Sequence, residues 1–391
     1  MENADMQKCR IGKIILAPDS FKGNMSASDV GRAMQEGIRN FDPGIKTEII
    51  PMADGGEGTV EAVAAALQGR LKECTVTGPL GDPVTARYCL IPAMKTAVME
   101  MASASGLPLI PANRLKPMQS STYGTGEMIR DALDEGCRKI ILGIGGSATS
   151  DGGTGAAEAL GVRFLDSDGN SVARGAEGLT DIAAVDISRR DSRIETCEIL
   201  VACDVSNPLY GPEGAAFVYS PQKGATEEEV ELIDRGLRNL AQATEHSLAI
   251  DIAHISGAGA AGGLGAGLVG FMGAALSSGI TIIADLLKLD ERMAGADLVI
   301  TGEGKTDFQT AFGKVPAGVA ERAARQGIPV VCLSGALGRN VETLYGTGIT
   351  ALFSTANSDM SLEYAFRHSP ELIRQSTENI VRIFAAGAAL S

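Results

Sequence analysis

The sequence predicts an α/β protein built as two α/β domains: a Rossmann-like parallel-sheet domain with a second α/β domain inserted in it. Three observations predict this. Short β-rich apolar runs recur, each followed by a glycine-bearing loop and then a helical pattern. That order makes βαβ crossovers and a parallel sheet covered on both faces. The composition pairs 45% apolar residues and 49 glycines with only 4% aromatics, which suits small aliphatic cores and glycine-built strand-to-helix loops. The length, 391 residues, suits two domains or one large elaborated one.

The units follow in order along the chain. "KIILAPDS" runs into "FKGNMSASDVGRAMQEGIRN", where Ser26 or Ser28 is placed to cap the helix. "KTEIIPMADGGEGTVEAVAAAL" repeats the pattern, as does "CRKIILGIGGSATSDGGTGAAEALG". Later come "CEILVACDVSNPLYGPEGA", "ADLVITGEGKTDFQT", "IPVVCLSGALG" and "GITALFSTANS". Between Leu71 and Ile110 the texture changes to short strands joined by turns such as Gly78-Pro79 and Gly81-Asp82-Pro83, which predicts a different sheet. The simplest division gives residues 1–70 and 286–391 to the Rossmann-like domain and 71–285 to the insertion. The active site is then expected in the cleft between them.

A formal charge of −14 excludes nucleic acid as a partner class, because neutralising phosphates needs a basic face. Small anions stay allowed, since a pocket can be locally positive on an acidic protein. The 7 cysteines, Cys9 among them, are scattered without a Cys-x-x-Cys pair, as expected for structural thiols in a reducing cytoplasm. The opening "MENADMQKCR" has no apolar core and does not read as a signal peptide. One stretch imitates a membrane span, since Ile255 to Ala284 carries no charge. Its repeated glycines and missing Lys/Arg flanks predict a buried or ligand-contacting loop and helix instead.

In open parallel sheets, ligands bind beyond the carboxyl ends of the strands. Polar residues recur at those places: Asp19, Ser20 and Lys22; Asp54 and Glu57; Ser147, Thr149 and Asp151; Asp204 and Asn207; Glu303, Lys305 and Asp307. One such loop is ordinary helix capping; five in one chain point to a site. The tripeptide Gly304-Lys305-Thr306 resembles the close of a P-loop, but the first glycine of that pattern is replaced by Val299. The next strong helix start lies beyond it, at "VPAGVAERAARQG" with Pro316. Gly143, Gly145 and Ala148 match a dinucleotide fingerprint, with Asp166 and Asp168 downstream, yet Thr149, Ser150 and Asp151 interrupt its helix start. The same small residues and hydroxyls suit a polyphosphate as well. Carboxylates beside glycine loops, with Lys22, Lys223, Lys305 and Lys314 as candidate cations, fit Mg²⁺-assisted phosphoryl transfer.

Taken together, "APDSFKGNMSA", "MADGGEGTVEA", "TGPLGDPVTARY", "STYGTGE", "GIGGSATSDGG", "CDVSNPLYGPEGAAFVYSPQKGAT", "GAGAAGGLGAG" and "TGEGKTDFQTAFGKVPAGVA" resemble the bacterial type I glycerate kinases across essentially the whole chain. Members of that family often carry Asn at 150 and Arg at 305, where this chain has Ser150 and Lys305. The resemblance implies ATP-dependent, Mg²⁺-assisted phosphorylation of D-glycerate, with 2-phosphoglycerate as product. It also implies two α/β domains. The protein is expected to be cytoplasmic from its cysteines, and a monomer or homodimer. The roles expected of the residues come from their types and their places at strand ends, not from the resemblance. Asp204 is expected to accept the proton, with Asp151 as its rival, and Glu303 and Asp307, with Asp54, to hold Mg²⁺. Gly145, Gly146, Ser147, Thr149, Gly257, Gly259 and Gly262 would cradle nucleotide phosphates, and Lys305 would reach a phosphate oxygen. Lys22 and Lys223 would meet the glycerate carboxylate or the moving phosphoryl group, with Asp19, Ser20 and Asn207 binding substrate. The rival readings are an NAD-dependent dehydrogenase of a small hydroxy acid and a small-anion binding protein without turnover.

Overall fold

The apolar runs that precede the glycine loops form strands in the computed structural model, which describes residues 11–388. Cys9 and the opening "MENADMQKCR" lie outside the described residues. The chain divides into two compact units. The first takes the chain up to Asp54, residues Glu61–Leu67 and everything from Ile283 onward. The second takes Gly55–Val60 and Gln68–Ile282, so in chain order it is inserted in the first.

The first unit is built on a five-stranded parallel sheet in the order Ala351–Ser354, Val330–Ser334, Leu298–Gly302, Lys13–Pro18, Lys46–Ile49. Ile14, Ile15, Leu16, Leu298, Val299 and Ile300 are wholly buried, because helices cover both faces and leave no polar side to alternate toward. The chain order diverges between Lys13–Pro18 and Leu298–Gly302. The next strand, Lys46–Ile49, is added on one side, and the last two are added on the other.

Helix Ala27–Phe41 begins at Ser26, whose side chain accepts from the Asp29 N–H, and buries Val30, Met34 and Ile38 at helical spacing. It packs on helix Ser369–Ala388. Gly37 permits that approach: a Cβ there would lie 2.3 Å from the Arg374 carbonyl oxygen. Helix Val315–Ala324 carries Pro316 in its first turn, where a missing N–H costs nothing.

The second unit holds a six-stranded mixed sheet in the order Ala275–Ser277, Glu198–Ala202, Lys139–Gly143, Thr96–Glu100, Pro83–Ile91, Arg70–Thr77. The first four strands run parallel, and the last two add antiparallel. The Leu71–Ile110 stretch thus supplies an antiparallel flank, its first reversal closed by the Gly78 N–H donating to the Asp82 carbonyl at 2.7 Å. The uncharged Ile255–Ala284 stretch breaks into pieces. Helix Ala260–Met272 departs from helical geometry at Ala261, Gly262 and Gly263, and strand Ala275–Ser277 follows. Among the described residues no helix is long and apolar enough to cross a membrane.

Candidate active site

The strand order of the first unit gathers several predicted residues at one place. Asp19 and Glu303 directly follow the adjacent strands Lys13–Pro18 and Leu298–Gly302, at the divergence of the sheet where ligands of such folds bind. The Asp19 N–H donates to the Gly302 carbonyl at 2.8 Å. A cavity of about 570 Å³ opens there, and Asp19, Ser20, Lys22, Asp54, Glu303, Lys305 and Lys314 all line it.

The carboxylates in this cavity act on one another. Asp19 is buried, and its carboxyl is pushed up to about 7, first by burial and then by the charge of Asp54. Glu303 adds to that repulsion, while the Ser20 N–H, 2.6 Å from Asp19 Oδ1, and Lys22 oppose it. Burial also raises the Glu303 carboxyl, against two hydroxyls and an ammonium. Thr310 Oγ1 donates to Glu303 Oε1 at 2.6 Å and Thr306 Oγ1 at 3.1 Å, while Lys314 Nζ stands 4.0 Å from Oε2. These hydroxyls hold the carboxylate in one orientation. A cation would relieve what remains of the repulsion.

The Gly-Lys-Thr puzzle is resolved by the backbone. Lys305–Thr306 is a two-residue strand paired in parallel with Ala336–Leu337, not the start of a helix. Lys305 points outward and Thr306 inward, where its hydroxyl meets Glu303 and Ser334. Asp307, expected to hold metal, does not line the cavity. Its side chain caps the turn Phe308–Ala311 by accepting from the Gln309 N–H at 3.0 Å. The capping residue type won over the metal-ligand reading, because Asp followed by an orphan N–H is satisfied locally. Asp19, by contrast, lines the cavity with Asp54 and Glu303.

In the second unit the predicted residues fall into two sets. Asp151 is completely buried, and its carboxylate accepts from the Thr122 N–H at 2.7 Å, the Thr122 hydroxyl, and the Gly153 and Gly155 N–H groups. Burial raises its carboxyl against these donors. A carboxylate so enclosed cannot meet a substrate hydroxyl, which corrects its expected role as a rival base. Lys223 is buried as well. Its Nζ donates to Ser147 Oγ at 2.8 Å and to the Thr149 carbonyl at 2.5 Å. Burial brings it down to about 7 although Asp151 pulls it back up. Lys223 therefore braces the Ser147–Thr149 loop rather than projecting to a substrate. Ser150 lies in the same buried cluster, its hydroxyl 3.2 Å from that of Ser220.

Asp204, by contrast, is exposed at the end of strand Glu198–Ala202, and its Oδ1 accepts from the Gly279 N–H at 3.1 Å. Asn207 is tied within its own loop: it donates to the Glu213 carbonyl and accepts from the Tyr219 hydroxyl at 2.6 Å. Gly145 and Gly146 are exposed, with room for a ligand to approach. Gly257, Gly259 and Gly262 are different. A Cβ at Gly259 would lie 2.2 Å from the Pro208 carbonyl oxygen, and one at Gly262 2.0 Å from that of Thr149. At Gly257 it would meet Cys203 Sγ at 2.9 Å. Those glycines are explained by close packing of the unit on itself. The dinucleotide fingerprint fails too, because the helix after strand Lys139–Gly143 begins only at Thr154 and is six residues long.

Comparison with known proteins agrees with this picture. The model of the glycerate kinase family matches residues 14–385. The chain belongs to the glycerate kinase family. It is 48% identical to a glycerate kinase of Halalkalibacterium halodurans, over 94% of this chain and 97% of that one. It is 45% identical to the glycerate 2-kinase of Escherichia coli K12, over 96% and 98%. A crystal structure from Salmonella typhimurium LT2, provisionally designated glycerate kinase 2, superposes with a TM-score of 0.89 at 45% identity, covering 97% of this chain and all of that one. The chain is accordingly a kinase of this family, with the two α/β domains that the sequence predicts.

Several contributors to the lining of this cavity were not visible in the sequence. Thr306 and Thr310, which orient Glu303, look like ordinary loop residues. Leu362 and Phe366, which line the cavity with Met360, lie one turn apart on a short helix and look like ordinary amphipathic-helix residues. Only the sheet order brings them to Asp19.

Proposed function

We propose that this chain transfers the terminal phosphoryl group of ATP to D-glycerate, giving 2-phosphoglycerate. The observation that carries the reading is the set of three carboxylates and three lysines around one cavity at the divergence of the parallel sheet. Phosphoryl transfer asks the protein mainly for positioning and charge, and acids paired with lysines match a metal-bound polyphosphate better than a simple anion. The name of the Escherichia coli relative supports attack by the 2-hydroxyl.

The donor set suits Mg²⁺. Among the described residues no three His, Cys, Asp or Glu groups come together closely enough to hold a metal unaided. Mg²⁺ is usually held by one or two carboxylates, with phosphate oxygens and water completing the shell. One or two of Asp54, Glu303 and Asp19, the last in place of Asp307, would hold it, and when bound it would neutralise charge on the phosphate oxygens. Lys305 and Lys314 draw the polyphosphate into the cavity, and Lys22 meets the glycerate carboxylate or the moving phosphoryl group, with Ser20 donating a hydrogen bond. Asp204 accepts the hydroxyl proton. In the second unit, the exposed Gly145 and Gly146 lie on a loop braced by Lys223 through Ser147 and Thr149.

A coupled assay with D-glycerate, ATP and Mg²⁺, with the product resolved by phosphorus NMR, tests the proposal. A single 2-phosphoglycerate resonance that requires all three components is expected. Glycerate binding with no phosphate transfer, or turnover only with a nicotinamide nucleotide, overturns it.

A further inference from the structure

The cavity of the first unit has two chemically distinct halves. The carboxylates and lysines gather at the ends of strands Lys13–Pro18 and Leu298–Gly302. The segments that follow strands Val330–Ser334 and Ala351–Ser354 supply an apolar part of the lining: Ala336, Ala356, Met360, Leu362, Ala365 and Phe366. Leu362 is 70% exposed and Phe366 42%, in a chain with only 4% aromatic residues. Apolar side chains left open inside a polar-rimmed cavity mark a place where a ligand excludes water.

The size of the cavity separates the candidates. About 570 Å³ falls within the roughly 300–1,000 Å³ typical of pockets for drug-sized ligands. A three-carbon acid would fill little of it. Nor would such an acid choose the apolar wall, where its carboxylate would lose water and gain no partner. A nucleotide has both characters in one molecule: a flat ring with apolar faces and a chain of anionic oxygens. Asn24, Thr355 and Ser361 also line the cavity, where Asn24 donates to Ser369 Oγ and Ser361 caps helix Leu362–Arg367 by accepting from the Tyr364 N–H.

We propose that the wall formed by Ala336, Ala356, Met360, Leu362 and Phe366 is the nucleobase subsite of the phosphate donor, with the polyphosphate directed toward Lys305 and Lys314. The inference rests on the reading of the chain as an ATP-dependent kinase and adds which unit, and which side of its sheet, holds the base. Contact of the ring with Leu362 and Phe366 contributes affinity independent of the phosphates.

The test compares Mg²⁺-ADP with Mg²⁺-pyrophosphate by calorimetry, on wild type and on Leu362→Ser and Phe366→Ser. Leu362 is mostly exposed, so its replacement leaves folding intact, and circular dichroism checks both variants. The expected result is ADP affinity lower by about tenfold in each variant, with pyrophosphate affinity and the KM for glycerate unchanged within about twofold. Equal losses for ADP and pyrophosphate, or a rise in the glycerate KM alone, overturn the subsite while leaving the kinase reading standing. Failure of the wild type to bind ADP or to phosphorylate glycerate brings down the kinase reading, and the subsite falls with it.

Discussion

Asp19 and Glu303 are 284 positions apart in the chain yet follow adjacent strands, the Asp19 N–H donating to the carbonyl of Gly302, the residue before Glu303. The two carboxylates line one cavity with Asp54 and repel each other. Glu303→Gln or Asp54→Asn is therefore expected to raise the Mg²⁺ concentration for half-maximal rate severalfold. A Mg²⁺ titration of the steady-state rate reads this directly, and an unchanged midpoint in both variants removes these residues from the metal site.

Asp307 serves as the control for that experiment. Because it caps the turn Phe308–Ala311 and does not line the cavity, Asp307→Ala is expected to lower stability by about 1 kcal/mol. Its Mg²⁺ midpoint should match wild type. Denaturant unfolding and the same titration decide between capping and ligation.

Lys305 lies exposed on a two-residue strand, where its charge rather than a tight backbone nest gives it value. Lys305→Arg is expected to keep most activity and Lys305→Ala to lose much of it, since a guanidinium can replace an ammonium where there is room. An inactive arginine variant would point back to a P-loop-like confinement.

Asp204 is the accessible carboxylate of the second unit's predicted bases. Asp204→Asn is expected to lower kcat by about 10²–10⁴-fold with the KM for ATP nearly intact. A kcat within about threefold of wild type would falsify its role as the base, and Asp19 would be the next residue to change.

Lys223 makes a pH prediction. Its pKa in the folded chain, about 7, lies below the 10.5 of an ordinary lysine, so between those values the unfolded chain binds more protons than the folded one. Stability should thus rise as pH increases from 7 toward 10.5, with the full penalty present below 7, at a slope of at most about 1.4 kcal/mol per pH unit. Lys223→Met should flatten that slope in denaturant unfolding across this window. An unaltered slope would mean that Lys223 stays charged in the fold.

Gly259 separates packing from phosphate binding. With the Pro208 carbonyl oxygen 2.2 Å from where a Cβ would stand, Gly259→Ala is expected to cost about 1–3 kcal/mol of stability. A variant of wild-type stability whose KM for ATP alone rises would restore the glycine to a nucleotide cradle.

The sequence by itself determined the local chemistry of this protein. Apolar runs ahead of glycine loops dictated parallel strands. Ser26 and Pro316 marked helix starts, and the polar residues were confined to strand ends where ligands bind. Long matching segments carried the family. These features are legible because each depends on a few neighbouring residues. The tertiary structure alone decided which of those polar residues share a site. Asp19, Asp54 and Glu303 meet because the sheet order places distant strands side by side, while Asp307, only four residues from Glu303, turns into a cap. Asp151 and Lys223 read as catalytic by residue type, but packing buries them, and burial is a property of everything around a side chain. The glycines of Gly257–Gly262 read as room for phosphate, and the carbonyls of Pro208 and Thr149 fill that room. A strand end is written in its own residues; the company it keeps is written in the order of the sheet.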